Sequence, residues 1–314
     1  MKCLIVQPIH GDGLDLLRTN EVTPVPCPAP TDDHILPLID DCDAVITRDA
    51  GLSGRAIMAG RKLRVIVIHG AGHDAVDMET ATREGVLVCN TPGANARSVS
   101  ELALGLAIAA ARAIPAADAA QRRAEAGFRE RVATTELSGK VALIVGWGSI
   151  GAGLGQMLRD AFGMTVLVYS PRARDVQGFE TVADLHAGLA RADLISLHTP
   201  LRDQTRGLIG TAALAACKRG AILVNTARAG LVDEVALAAA LSSGQIAAAG
   251  LDVYSPAAPQ GSLGRFPQVI FTPHLGGATQ EALARVAKGS ARNTLAALQG
   301  IRPETALNAP EAWS

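Results

Sequence analysis

The chain has 314 residues, with 29 Lys and Arg against 30 Asp and Glu for a formal net charge of -1. That length suggests two domains of roughly 100–200 residues each, and the neutral balance, without any Lys/Arg run, removes the electrostatic case for a nucleic-acid or membrane-surface partner and leaves a small molecule. Apolar residues make up 48% of the chain but aromatics only 3%, beside 32 glycines, a composition that fits an α/β core of Ala, Val, Leu and Ile rather than a β-sandwich or a disordered chain.

The N-terminus, Met1-Lys2-Cys3-Leu4-Ile5-Val6, turns polar at Gln7 before a signal-peptide apolar region of about 7–15 residues can form. Residues 3–6, 44–47, 64–68 and 86–88 then read as short buried strands separated by helices or turns, the pattern of a small parallel sheet. An Ala-rich stretch over residues 98–125 reads as helix, opened by a capping box of Ser98 and Glu101 and broken or kinked at Pro115. Its apolar run, residues 102–111, is about half the ~20 residues that a membrane span needs. From residue 137 the alternation resumes, with strands expected at 141–145, 165–169, 193–198, 221–225, 247–253 and 269–272, enough for a complete doubly wound dinucleotide domain. A final helix over 280–299 is expected to return to the first domain. The expected domains are therefore 1–98 plus 284–314, a smaller flavodoxin-like α/β domain for substrate, and 99–283, a Rossmann domain for cofactor. The five cysteines, Cys3, Cys27, Cys42, Cys89 and Cys217, are scattered without a C-x-x-C pair and read as reduced thiols of a cytoplasmic protein. His69 and His73 lack a further ligand cluster, so no metal site is expected.

Gly146-Trp147-Gly148-Ser149-Ile150-Gly151 stands between an expected strand and an expected helix, where G-x-G-x-x-G has a mechanism. Gly146 permits the tight turn, Gly148 lets backbone approach a pyrophosphate, and Gly151 allows close helix–strand packing. The next strand ends Val168-Tyr169-Ser170-Pro171-Arg172-Ala173-Arg174, with no carboxylate for the ribose hydroxyls of NAD. Ser170 can bond a 2′-phosphate and Arg172 or Arg174 can neutralise it, so NADP(H) is favoured over NAD(H). Thr199, Pro200, Thr226 and Asp252, at or near later strand ends, complete the expected cofactor-binding set.

Arg228 and His274 also follow strand ends, where open α/β sheets bind ligands. A guanidinium fork suits a carboxylate or polarised carbonyl, and an imidazole suits proton delivery near neutral pH. Together with the fingerprint they point to hydride transfer. In the first domain, Gly70-Ala71-Gly72 can present backbone amides to a substrate carboxylate.

These residues resemble the D-isomer-specific 2-hydroxyacid dehydrogenase family over nearly the whole chain. The marks are Gly70-Ala71-Gly72-His73-Asp74, Asn90-Thr91-Pro92-Gly93-Ala94-Asn95, the glycine fingerprint, residues 225–234 around Arg228, and Thr272-Pro273-His274-Leu275-Gly276-Gly277. The resemblance implies a two-domain enzyme, usually a homodimer, acting on a small 2-oxo or 2-hydroxy acid. It implies that Arg228 holds the carboxylate and carbonyl, that His274 donates a proton to the carbonyl oxygen, and that Ala71, Gly72 and His73 hold the carboxylate through backbone amides.

One position departs from the family pattern. The Glu expected five residues after the Asp of Gly250-Leu251-Asp252-Val253, which pairs with the catalytic His, is replaced by Ala257, or by Ala258 if the loop is shifted. Losing that negative charge disfavours the imidazolium and weakens carbonyl reduction. Two readings follow: a reductase of glyoxylate, hydroxypyruvate or an arylpyruvate, or a dinucleotide-binding sensor that has kept the fold and lost the chemistry.

Overall fold

The computed structural model describes residues 1–171 and 176–313. The chain divides into two compact units, Met1–Asn95 with Gly277–Ser314, and Ala96–Gly276; the sequence reading places both boundaries a few residues further on.

Unit 1 alternates β1 (Lys2–Ile5), α1 (Gly11–Thr19), β2 (Thr23–Pro26), α2 (Asp32–Ile39), β3 (Ala44–Thr47), α3 (Gly54–Ala59), β4 (Val65–Ile68), α4 (Met78–Arg83) and β5 (Leu87–Cys89). The strands form a parallel sheet in the order β2-β1-β3-β4-β5, the flavodoxin-like arrangement. Every residue of β3 and β4 is buried, as expected where helices cover both faces of a parallel sheet. The sequence reading misses β2 because Pro24 and Pro26 argue against a strand. At the sheet edge, where β2 pairs only with β1, a missing N–H costs little. Arg64, expected to begin β4, precedes it instead.

Unit 2 opens with α5 (Ala96–Ala111), α6 (Ile114–Arg122) and α7 (Phe128–Arg131). It continues with β6 (Val141–Val145), α8 (Ser149–Phe162), β7 (Thr165–Tyr169), β8 (Glu180–Thr181), α9 (Leu185–Leu189), β9 (Leu194–Leu197) and α10 (Thr211–Ala216). β10 (Ala221–Asn225), α11 (Glu234–Ser242), β11 (Ile246–Leu251) and β12 (Val269–Phe271) complete it. The sheet is parallel throughout, in the order β12-β11-β10-β9-β6-β7-β8. The chain enters at β6, winds outward through β7 and β8, then crosses to β9 and winds outward the other way. The switch point between β6 and β9 is where a doubly wound sheet binds ligands. β8, a two-residue exposed strand, has too little apolar content to be read from sequence.

The expected capping box does not form. α5 begins before Ser98, whose hydroxyl donates to the Gly276 carbonyl at 2.6 Å, while Glu101 pairs with Arg97 one turn back at 2.5 Å. The long Ala-rich helix breaks at Ala113, which is left-handed with φ 51°. Pro115 lies in the first turn of α6, where its missing N–H would have had no partner anyway. Ala103, Leu106, Ala107 and Ala110 of α5 are buried in a core shared with Ile144, Leu154, Leu158, Ile222 and Val224. Among the described residues no single helix is long and apolar enough to cross a membrane.

The last helix, α12 (Gln280–Leu298), belongs to unit 1. It is capped by Thr279, whose side chain accepts from Ala282 N at 3.2 Å, and its Ala291, Ala297 and Leu298 join Leu17, Ile46 and Val67 in one core. Arg64 closes its C-terminus by donating to the Leu298 carbonyl at 2.9 Å.

Candidate active site

In unit 2, β6 runs into the Gly146 turn and then into α8. Gly146 has φ +99°, and a Cβ there would lie 2.6 Å from the His198 carbonyl oxygen, so only glycine lets the β6 and β9 ends approach. A Cβ on Gly151 would lie 2.2 Å from the Gly146 carbonyl oxygen. Gly148 is different: a Cβ there meets no protein atom within 4 Å. The space above it is open, and Gly148 caps α8 without a side-chain hydrogen bond. The helix therefore offers its first N–H groups, those of Ser149, Ile150 and Gly151, and the positive end of its dipole to an anion. At the end of β10 in the same sheet, Thr226 is 8% exposed, with its hydroxyl oxygen buried and without a hydrogen-bond partner among the described residues. An open glycine cradle and an orphaned hydroxyl fit a dinucleotide.

Ser170 is half-buried just past β7. Arg172 and Arg174 lie outside the described residues. Thr199 and Pro200 follow β9, next to His198, whose Nε2 lies 2.8 Å from Ser196 Oγ. Burial pushes the pKa of His198 down to about 3.

Arg228 follows β10. Asn225 shapes its turn, accepting from Ala227 N at 3.0 Å and donating to the Arg228 carbonyl at 2.9 Å, while Arg228 Nη1 donates to the Ala227 carbonyl at 2.7 Å. His274 follows β12 in the left-handed region, at φ 54°, and is exposed. Its N–H donates to the Asp252 and Thr272 carbonyls at 3.1 and 2.9 Å. Ala229, Asp252, Val253, Tyr254, Pro273 and His274 line a cavity of about 360 Å³. The structure thus brings His274 and the residue following Arg228 to one pocket of unit 2.

Asp252 has a role that sequence reasoning missed. It is 1% exposed, and its Oδ1 accepts from Thr272 Oγ1 at 2.5 Å and Leu275 N at 2.8 Å, its Oδ2 from Gly276 N at 2.9 Å. One buried carboxylate therefore fixes the backbone on both sides of His274. Charge-assisted bonds of this kind are the strong ones, worth about 1.5–3 kcal/mol each.

Glu234 was missed as well. From the start of α11 its two carboxylate oxygens accept from Ser255 N at 2.6 Å and Ser255 Oγ at 2.5 Å, pinning the loop that follows Tyr254. Ala258 is buried in the core of unit 2, whereas Ala257 is exposed. Of the two candidate positions, only 257 presents its side chain outside the core.

In unit 1, the loop after β4 carries Ala71, Gly72 and His73. Ala71 and His73 are exposed and Gly72 half-buried. His69, at the root of the loop, is buried with Nε2 unpartnered among the described residues. Desolvation and, secondarily, the Arg48 cation push its pKa down to about 4.

A doubly wound sheet with an open glycine turn, beside strand ends that carry Arg and His, defines a dinucleotide-binding protein. Residues 104–276 match the family described as D-isomer specific 2-hydroxyacid dehydrogenase, NAD binding domain. The chain is 38% identical to the D-3-phosphoglycerate dehydrogenase of Methanocaldococcus jannaschii over 99% of its own length, and spans 60% of that protein. It is 35% identical to the hydroxypyruvate reductase of Thermotoga maritima, covering 89% of this chain and 92% of the relative. The crystal structure of the TT0316 protein from Thermus thermophilus superposes with a TM-score of 0.91 at 32% identity, covering 98% of this chain and all of the other. The chain belongs to the D-isomer specific 2-hydroxyacid dehydrogenase family, and unit 2 is built as that family's NAD binding domain, the place of a nicotinamide cofactor.

Proposed function

We propose that this chain reduces a small 2-oxo acid of the glyoxylate, hydroxypyruvate or arylpyruvate type, preferring NADPH. The observation that carries the reading is the cavity where His274 and Asp252 meet at the strand ends of a sheet that also holds an open Gly148 cradle. When bound, the cofactor supplies a hydride to the carbonyl carbon. His274 delivers the proton to the carbonyl oxygen, and Asp252 holds the His274 loop still. Arg228 binds the carboxylate and polarises the carbonyl through its planar fork. The family resemblance offers the backbone amides of Ala71, Gly72 and His73, in unit 1, as carboxylate donors. Ser149, Ile150 and Gly151 receive the pyrophosphate, with Thr199, Pro200, Thr226 and Asp252 nearer the nicotinamide. The preference for NADPH rests on Ser170 standing where an NAD site carries Asp or Glu, with Arg172 and Arg174 close behind in sequence; an acidic residue there would repel a 2′-phosphate.

A second reading, a dinucleotide-binding sensor with little turnover, is favoured by Ala257 alone. No carboxylate stands on that loop to draw a proton onto an imidazole. The homodimer implied by the family resemblance is also part of this proposal.

Fluorescence titration of the purified protein with NADPH and NADH, followed in the same cuvette by glyoxylate, hydroxypyruvate and phenylpyruvate, separates these readings. Tighter NADPH binding followed by oxidation is the expected result. Binding without oxidation between mildly acid and mildly alkaline pH overturns the reductase in favour of the sensor. Sedimentation of the same sample reads a homodimer as twice the 32.3 kDa chain mass.

A further inference from the structure

We infer that Asn90 and Thr91 are positioning residues that aim two backbone amides, those of Ala71 and Gly72, at the carboxylate of the substrate. The inference deepens the proposed function and rests on it for the identity of the ligand.

No peptide bond in the described chain is cis, and in a planar trans peptide the C=O and N–H point in opposite directions. Fixing a carbonyl therefore also fixes where the next residue's N–H points. In the loop after β4, the Gly70 carbonyl accepts from Thr91 N at 2.8 Å and from Thr91 Oγ1 at 3.2 Å. The Ala71 carbonyl accepts from Asn90 Nδ2 at 2.7 Å. Two successive carbonyls are thus drawn toward the end of β5, and two successive N–H groups, those of Ala71 and Gly72, are turned the other way. Consecutive amides presented on one side of a loop make an anion-binding concavity. The opposite arrangement, carbonyls outward, would repel a carboxylate.

The two residues that set this direction are themselves held. Asn90 is 7% and Thr91 5% exposed. The Asn90 carbonyl accepts from Asn293 Nδ2 on α12 at 2.9 Å, and Thr91 Oγ1 also accepts from Gly70 N at 2.9 Å. Ala71, by contrast, is exposed. A rigid, buried pair therefore supports an accessible anion site.

The test compares Asn90→Ala, Asn90→Asp and Thr91→Ser with the unsubstituted chain. It reads kcat and KM for hydroxypyruvate with NADPH saturating, and the quenching of bound NADPH by oxamate. Asn90→Ala and Asn90→Asp both remove the donor, and the second keeps the shape while placing an anion against the Ala71 carbonyl. Each is expected to raise KM and weaken oxamate about 10- to 100-fold, the range of one charge-assisted hydrogen bond. NADPH affinity and kcat should change little. Thr91→Ser keeps the hydroxyl and should behave like the unsubstituted chain. A purely structural role would lower the active fraction and leave KM alone, so KM and oxamate affinity within twofold in both Asn90 variants overturn the inference. Absence of turnover by the unsubstituted chain is instead a failure of the proposed function, and oxamate binding across the same variants still decides the direction of the amides.

Discussion

Around His274, the residues that matter most do so by fixing other residues. Asp252 holds backbone N–H groups and a hydroxyl from the His274 loop, and Glu234 holds Ser255 by two bonds. The Ser255 hydroxyl donates to Glu234, and residue 257 has only a methyl group to offer. Ala257 is exposed, so a longer side chain there meets no core penalty. Ala257→Glu should therefore leave thermal stability unchanged while altering the chemistry. A carboxylate brought beside an imidazole favours its protonated form by about 1–3 pH units. The alkaline limb of the pH–rate profile for 2-oxo acid reduction should move upward by that amount, with a matching gain in kcat near pH 8. An unmoved limb would mean that residue 257 does not face the imidazole.

At the level of elements, the site is a set of strand ends and the turns that leave them, and the glycines of the β6–α8 turn divide two duties, as their places in the fingerprint imply. Gly151 serves the fold, since a Cβ there would overlap the Gly146 carbonyl, whereas a Cβ on Gly148 meets nothing. Gly148→Ala should keep the melting temperature and lose dinucleotide affinity by about tenfold or more, equivalent to about 1.4 kcal/mol. Gly151→Ala should lose stability as well, by about 1–3 kcal/mol, as overpacked sites do. Parallel melting curves and NADPH titrations check both; equal behaviour of the two variants would contradict the division. The fingerprint was legible because its chemistry is local: strand, turn and helix lie within one short stretch. The strand-end positions of Arg228 and His274 were legible too. The hydrogen bonds of Asp252, Glu234 and Asn90 were not, because their partners lie 19 to 24 residues away and only the folded sheets bring them together. Local signals also misled. Ser98 and Glu101 have the spacing of a capping box, yet the Gly276 carbonyl and Arg97 claim their side chains, and the prolines of β2 conceal a strand that its edge position tolerates.

The whole molecule is two units with separate cores, and each holds a histidine whose pKa is lowered by desolvation, which makes acid the natural probe of their stability. His69 in unit 1 is held to about pKa 4 by burial and then by Arg48, and His198 in unit 2 to about 3 by burial; the unperturbed value is about 6.5. As pH falls from 6.5 toward these values the unfolded chain takes up protons that the folded chain refuses, so the folded state loses ground. Stability is full above about pH 6.5 and declines toward pH 4, by about 3 kcal/mol for His69 alone at roughly 1.4 kcal/mol per unit. The carboxylates with lowered values, such as Asp77 and Asp193, act in a lower window, since their stabilisation is present above their unfolded values and fades only as pH drops through the folded ones. Loss of stability between pH 6.5 and 4.5 therefore belongs to the histidines. Calorimetry of His69→Gln and His198→Gln across that range should show each substitution flattening the pH dependence of the unit that contains it, His69→Gln in unit 1 and His198→Gln in unit 2. A His69→Gln protein that keeps the full slope would show that His69 is protonated in the folded chain, and would remove the neutral imidazole from the root of the Ala71 loop.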